Sequence, residues 1–237
     1  MKKRVFLPLV LIVLLGFVLP QYACAESAPL SDEEQEKVIY LTYDDGPYTY
    51  TEDLLDLLDE YGAKATFFVV GDRVERIPDP VRDAAERGHA IGIHCYKHIY
   101  DKIYASEEAF FDSVDRTYAA IENICGCSPR FLRFPGGSAT ARSYMSRHID
   151  GGFDALKQRL ADRELLFFDW DAGCDECSDG AYGAFLRAKR CCAEIDNPIL
   201  LMHDTQYGSV SVTRKILEWG TANGYVFRSL DEWTPET

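Results

Sequence analysis

The sequence predicts a single-domain α/β protein built as a barrel, closed or incomplete, of about seven strand–helix units. Apolar strand-like runs alternate with amphipathic helical runs from residue 38 to residue 230. This alternation predicts parallel strands, because parallel neighbours need a long crossover connection such as a helix. About seven such units in roughly 200 residues favour a barrel over an open sheet.

Each predicted element is supported by a local pattern. Residues 38–43 (VIYLTY) form a continuous apolar run, as expected of a strand buried on both faces. Residues 51–62 place leucines at helical spacing between a Thr start and a Gly stop. The long helix over 106–126 has Ser106 at its N-cap position and acidic residues in its first turn. The other strands are predicted at 65–70, 89–94, 130–134, 165–170, 199–203 and 225–230, and the other helices at 79–88, 152–162, 181–195 and 211–222.

The first 25 residues have the composition of a secretory signal peptide. A basic start precedes a long apolar run, and the small residues Ala23 and Ala25 form a cleavage motif. We therefore expect cleavage after Ala25 and a secreted or cell-surface protein. The alternatives are an uncleaved membrane anchor and a lipoprotein signal through Cys24, and membrane contact is expected only if the segment stays uncleaved. Of the remainder, 26–37 is predicted as a flexible leader and 38–232 as the folded domain.

The chain is strongly acidic, with a formal net charge of −14. Loss of residues 1–25 removes three basic residues and no acidic ones, which leaves −17. This charge argues against non-specific binding of nucleic acid or anionic lipid. We expect a neutral or cationic substrate and a monomeric protein.

The most informative polar side chains stand where predicted strands end. In barrels and open α/β sheets, the carboxyl edge of the parallel strands holds the active site. Three of the five histidines of the chain belong to this set. The set comprises Asp44 and Asp45, His94 and His98, Arg133, Asp169 and Trp170, and His203 and Asp204.

Two of these groups have ordinary explanations when each is taken alone. The DDGP sequence at 44–47 is also a turn sequence, and either His94 or His98 could be a surface or capping histidine. Together, one aspartate and two histidines at one edge are typical of a catalytic divalent metal with positions open to water. The second aspartate would then be available to move protons.

Five short motifs lie at these predicted strand ends: TYDDGP (42–47), HCYKH (94–98), RFPGG (133–137), FDW (168–170) and LMH (201–203). In this order they resemble the motifs of the polysaccharide deacetylases with a NodB homology domain (carbohydrate esterase family four). The resemblance spans about residues 38–230 and implies a distorted (β/α)-barrel of about seven units. It also implies metal-dependent removal of N-acetyl groups from N-acetylglucosamine-type sugars, with peptidoglycan as the first expected polymer.

The resemblance implies a metal site and a pair of proton-transfer groups. Asp45, His94 and His98 would bind a divalent metal, zinc in the first place, with cobalt, nickel or manganese as alternatives. Asp44 would take a proton from the attacking water as general base. His203 would protonate the leaving amine as general acid.

Five further residues receive supporting roles from the same resemblance. Arg133 would orient the general base, and Asp169 would tune the general acid. A backbone N–H at Gly136 would stabilise the oxyanion. Trp170 and Leu201 would wall the acetyl pocket; core packing is the alternative for both, and an equally good explanation for Leu201.

Three positions depart from the pattern of the family. Cys95 replaces the usual Ser or Thr of the second motif, and Gly136 replaces the frequent aromatic residue of the third. Leu166 stands where the fourth motif has its first aspartate, which makes Asp171 and Asp175 alternatives for tuning the general acid.

Two other functions remain open from the sequence. One is an esterase of the same family that removes O-acetyl groups, as from xylan. The other is a carbohydrate-binding pseudoenzyme that keeps the barrel without the chemistry. The presence of all three metal-binding candidates, the base and the acid argues against the pseudoenzyme.

Overall fold

The computed structural model describes residues 36–145, 152–174 and 180–234. The predicted signal peptide and residues 26–35 of the predicted leader lie outside this range. The first strand begins at Lys37, the last residue assigned to the leader from the sequence. Within the described residues, no helix is both long enough and apolar enough to cross a bilayer.

The core of the fold is a curled sheet of parallel strands flanked by helices, which forms a distorted half-barrel and confirms the predicted fold class. The strands are β1 (Lys37–Asp44), β2 (Thr66–Val70), β3 (Ala90–Cys95), β4 (Phe131–Leu132), β5 (Leu166–Phe167), β6 (Ala172–Gly173), β7 (Ile199–His203) and β8 (Tyr225–Arg228). They follow the order β5-β4-β3-β2-β1-β7-β6, and β8 pairs with the N-terminal half of β1. Among the described residues, the order ends at β5 on one side and β6 on the other.

Helices follow the strands in the alternation that the sequence predicts. In the helix over 51–60, four leucines lie on the buried face. The helix over 107–125 begins as predicted, because Ser106 Oγ accepts a hydrogen bond from the Ala109 N–H. The bounds are α1 Thr51–Glu60, α2 Gly71–Arg76, α3 Asp79–Glu86, α4 Tyr100–Ile103, α5 Glu107–Cys125, α6 Gly137–Met145, α7 Gly152–Ala161, α8 Gly180–Glu194 and α9 Ser209–Ala222, followed by a short 3-10 helix, Leu230–Glu232.

The helices α2, α4 and α6 were not predicted from the sequence. The helices α2 and α4 have six and four residues, which is too short for a helical period to stand out. The third, α6, lies between the strand predicted at 130–134 and the helix predicted at 152–162. There Gly136 and Gly137 take left-handed conformations, with φ 74° and 82°, and the chain becomes helical from Gly137.

The strand predicted at 165–170 is shorter than expected, because the chain leaves the ladder after Phe167. Residues 168–171 instead bridge the two ends of the sheet. The Phe168 N–H donates to the Leu132 carbonyl on β4, and the Asp171 N–H donates to the Ile199 carbonyl on β7. This bridging segment brings Asp169 and Trp170 to the carboxyl edge.

His89, at the opposite end of the sheet, gives the fold a specific pH dependence. Its side chain is buried, and Nδ1 accepts a hydrogen bond from the Ala65 N–H. Burial, with Lys64 as the next cause, lowers the pKa of His89 to about 4. In the unfolded chain this pKa lies near 6.5. Between these two pH values the folded state therefore binds fewer protons than the unfolded chain. The contribution of neutral His89 to the free energy of unfolding is fully present above pH 6.5 and is lost as the pH falls towards 4.

We expect the protein to lose about 2 kcal/mol of unfolding free energy through His89 when the pH falls from 7.5 to 5. His89→Asn keeps an acceptor for the Ala65 N–H but cannot be protonated, so it should lose less. The measurement is urea unfolding of both proteins at the two pH values. Equal losses in the two proteins would show that His89 is not held neutral by the fold.

Candidate active site

The structure brings Asp45, His94 and His98 together at the carboxyl edge of the sheet. His94 Nε2 and His98 Nε2 each lie 3.4 Å from Asp45 Oδ1. One ligand atom from each residue lies within 4.8 Å of the other two, the spacing of a group that could hold a metal ion. His94 ends up inside β3, whereas Asp45 and His98 lie in the loops after β1 and β3.

The hydrogen bonds of this group fit a bound cation. His94 Nδ1 lies 2.9 Å from the Arg133 carbonyl oxygen, which can only accept, so Nδ1 carries the proton. The other ring nitrogen, Nε2, therefore faces Asp45 Oδ1. That oxygen is buried and receives no hydrogen bond from the described residues. A divalent cation between this oxygen and the two imidazole nitrogens would satisfy the buried carboxylate.

The electrostatics of the site favour the metal-binding forms of Asp45 and His98. Burial alone would raise the pKa of Asp45, but His94, His98 and His203 lower it more, and the net pKa lies well below the usual range. Burial lowers the pKa of His98, against the opposing effect of Asp45. An ionised carboxylate and neutral imidazoles are the ligand forms that a divalent metal requires.

Asp44 and Asp45 are adjacent but face different partners. Asp44 is the last residue of β1, and its Oδ1 accepts a hydrogen bond from Arg133 Nη1 at 3.0 Å. Asp45 takes a left-handed conformation, with φ 76°, which turns its side chain to the two histidines. The turn is held in place by Arg73, whose Nη1 donates to the Asp45 carbonyl at 2.9 Å.

Arg133 is fully buried, and its guanidinium group makes four hydrogen bonds. Besides Asp44, it donates to Thr42 Oγ1 at 2.6 Å, to the Phe168 carbonyl at 3.1 Å and to the Asp169 carbonyl at 2.8 Å. It also stacks over the ring of Phe68. Because these other contacts fix the orientation of the guanidinium group, Arg133 in turn fixes the orientation of the Asp44 carboxylate.

His203 ends β7 directly beside Asp44, its partner in the register of β1 and β7. The side chain of His203 is half-buried, and its closeness is one of the smaller causes that lower the pKa of Asp45. It therefore lies at the same edge as the metal-binding group and the Asp44 carboxylate.

The remaining predicted site residues line this edge in different ways. Both oxygens of Asp169 accept hydrogen bonds from Ser138, at 2.8 and 2.5 Å, so this carboxylate caps the first turn of α6. Trp170 packs against Gly137, and half-buried Leu201 lies on β7. Gly136 directly precedes the first residue of α6. Of the alternatives to Asp169, Asp171 accepts the Ile199 N–H and Asp175 lies outside the described residues.

Tyr100 is a site residue that the sequence did not single out. Its ring packs on His98, with 5.2 Å between centroids. A Cβ atom added to Gly136 would lie 2.8 Å from the Tyr100 hydroxyl, so the tyrosine occupies the space beside that glycine. Its position two residues after His98 could have indicated a place near the site. Its closeness to Gly136 is a tertiary contact, which the sequence does not show.

The sequence places Asp204 only at the end of a strand, and the structure shows its contacts. It is fully buried, and its Oδ2 accepts a hydrogen bond from Thr51 Oγ1 at 2.6 Å. Burial raises the pKa of Asp204 to about 7. A Cβ at position 46 would come within 2.0 Å of this carboxylate, which explains why Gly46 follows the paired aspartates.

Comparison with known proteins indicates the same family as the five sequence motifs. The sequence model of the polysaccharide deacetylase family matches residues 31–149. A peptidoglycan-N-acetylglucosamine deacetylase from Bacillus cereus is 32% identical over 201 residues, 84% of this chain and 71% of the relative. A chitin deacetylase from Colletotrichum lindemuthianum is 28% identical over 203 residues, 83% of this chain and 79% of the relative.

Solved structures of the same kind share the fold. The catalytic domain of a peptidoglycan N-acetylglucosamine deacetylase from Eubacterium rectale superposes with a TM-score of 0.77 at 32% identity, covering 86% of this chain and 93% of that one. A polysaccharide deacetylase from Bacillus cereus gives 0.72 at 29% identity, covering 84% and 96%. This chain therefore belongs to the polysaccharide deacetylase family, a family of metal-dependent enzymes.

Proposed function

We propose that the protein removes N-acetyl groups from N-acetylglucosamine residues of a cell-wall polysaccharide, peptidoglycan in the first place, and releases acetate. The observation that carries the proposal is the convergence of Asp45, His94 and His98 beside an Asp44 carboxylate held by a buried arginine. The names of the Bacillus cereus and Eubacterium rectale relatives support this substrate. Because peptidoglycan lies outside the cytoplasmic membrane, the substrate also agrees with the export predicted from residues 1–25.

The proposed reaction is the hydrolysis of an amide by water. Asp45, His94 and His98 would hold a divalent metal, zinc before cobalt, nickel or manganese, and when bound it supplies Lewis acidity to the acetyl carbonyl and the water. Asp44 takes one proton from the water as the oxygen attacks the carbonyl carbon. Its Oδ1 stays bonded to Arg133, so the proton goes to Oδ2.

Cleavage of the C–N bond requires a proton on the leaving nitrogen. His203 lies beside Asp44 and would donate this proton, so that the free amine and acetate leave separately. The left-handed turn at Gly136 would present its N–H to the developing oxyanion. Trp170, Leu201 and Tyr100 would enclose the acetyl group and the sugar ring around it.

Metal dependence gives the first test. Dialysis against a chelator should remove about one divalent ion per chain and nearly all acetate release. The four candidate metals added singly should then identify the one that restores the highest rate. His94→Ala should lower the bound metal by about tenfold or more, measured by mass spectrometry of the purified protein. His89→Asn, a buried histidine outside the group, is the matched control, and a metal-free protein with full activity would refute the site.

Asp44→Asn tests the general base. The amide can still accept the hydrogen bond from Arg133, so the fold should persist while kcat falls about 100-fold or more. Acetate release from peptidoglycan and N-acetylglucosamine oligomers is the measurement, and Asp56→Asn on the exposed face of α1 serves as the control. An unchanged kcat would exclude Asp44 as the base, and release from acetylxylan alone would favour the O-acetyl esterase.

His203→Ala tests the general acid through the leaving group. An amine must be protonated to leave, whereas 4-nitrophenolate leaves without a proton. We therefore expect the variant to lose about 100-fold in kcat on an N-acetylated sugar and much less on 4-nitrophenyl acetate. Equal losses on the two substrates would assign His203 a different role.

Arg133→Lys tests the buried guanidinium. Lysine keeps the charge but cannot reproduce the planar fork of donors, so the free energy of unfolding should fall by about 2–4 kcal/mol. The kcat of the folded fraction should fall as well, since Asp44 loses its orientation. Arg130→Lys, in the same segment but exposed and paired with Asp231, should change stability by less than about 0.5 kcal/mol. Similar effects of the two substitutions would contradict the positioning role.

A further inference from the structure

We infer that a row of three tyrosines, Tyr48, Tyr50 and Tyr207, binds sugar residues of the polymer beyond the one that is deacetylated. This inference rests on the proposed function for the identity of the polymer. The row is distinct from the metal-binding group and from the residues that surround the acetyl group. It belongs to the loops after β1 and β7.

The three rings follow one another on the surface. The ring centroids of Tyr48 and Tyr50 are 6.0 Å apart, and those of Tyr50 and Tyr207 are 6.3 Å apart. Tyr207 is 90% exposed and Tyr48 is 44% exposed. Because the three rings are neighbours, they form a contiguous aromatic patch, and such patches commonly mark ligand-binding sites.

Two sets of contacts connect the row to the active site: a buried hydrogen bond and the contacts of the Arg73 guanidinium group. The hydrogen bond between Thr51 and Asp204 joins the loop that carries Tyr50 to the loop that carries Tyr207. At the other end, the Arg73 guanidinium stacks over the Tyr48 ring and donates to the carbonyl of Asp45, a metal-binding candidate. A chain bound along the row would thus lie beside the reacting sugar.

The chemistry around the row fits a neutral, hydroxyl-rich ligand. The rings of Tyr50 and Tyr207 line a cavity of about 900 Å³. Its polar lining includes Asp53, Gln206 and Ser211, and Arg214 is already paired with Glu60 at 3.0 Å. Sugar rings offer C–H faces that pack on aromatic faces and hydroxyl groups that bond to such side chains. With its one arginine neutralised and Asp53 present, the cavity does not favour an anionic ligand.

The test compares N-acetylglucosamine oligomers of two lengths with the full-length protein. Tyr207→Ala should raise KM for the pentamer about tenfold and leave KM for the dimer and both kcat values within about twofold. Tyr207→Trp should restore the KM of the pentamer, since it keeps an aromatic face. Tyr182→Ala removes a tyrosine that is 63% exposed but packs against Phe185 outside the row, and it should change neither value.

The outcomes separate this inference from the proposed function. If the wild-type protein releases acetate and Tyr207→Ala changes KM equally for both lengths, or for neither, the row does not bind the chain. If the wild-type protein releases no acetate from any N-acetylated glycan, the proposed function fails, and calorimetry with the pentamer decides the inference alone. Weaker pentamer binding by Tyr207→Ala than by Tyr182→Ala would then support the row. Equal binding by the two variants, or none by the wild-type protein, would overturn it.

Discussion

The buried guanidinium group of Arg133 is the constraint on which the rest of the site depends. A fully buried cation without partners would cost several kcal/mol, so the fold must surround it with acceptors. It does so with one charged partner, Asp44, and with oxygens from β1 and from the segment 168–171. These bonds join β1, which ends at Asp44, to the segment that connects the two ends of the sheet.

The same residue acts on the metal-binding group through its backbone. The Arg133 carbonyl accepts the Nδ1 proton of His94 and so fixes which nitrogen of that ring faces Asp45. One position therefore orients the general base candidate with its side chain and a metal-binding candidate with its main chain. In metal sites, the partners of the ligands commonly set ligand orientation and affinity in this way.

Much of this arrangement could be predicted from the sequence because it follows from local patterns. Continuous apolar runs identified the buried strands, and polar residues at their ends identified the edge that holds Asp45, His94 and His203. The pattern could not predict α6, since its first turn depends on the carboxylate of Asp169, which is distant in sequence. For the same reason the place of Tyr100 beside Gly136 was missed. Gly136 has no side chain, so the sequence gives no indication of which distant residue fills the space beside it.

The paired aspartates show how a local turn and a tertiary contact act together. In an extended strand, successive side chains point to opposite faces, which already separates Asp44 from its neighbour. The left-handed conformation of Asp45 completes the separation, and Gly46 lets the chain pass close to Asp204. Because the Asp204 carboxylate is also the acceptor of the Thr51 hydroxyl, the turn that presents the metal-binding candidate is joined to the loop after β7. The candidate metal-binding residues, the Asp44–His203 pair proposed for proton transfer and the tyrosine row are thus joined by hydrogen bonds and strand pairing at one edge of the sheet. The proposed function needs such a connection, because it requires precise placement of a long polymer over a single acetyl group.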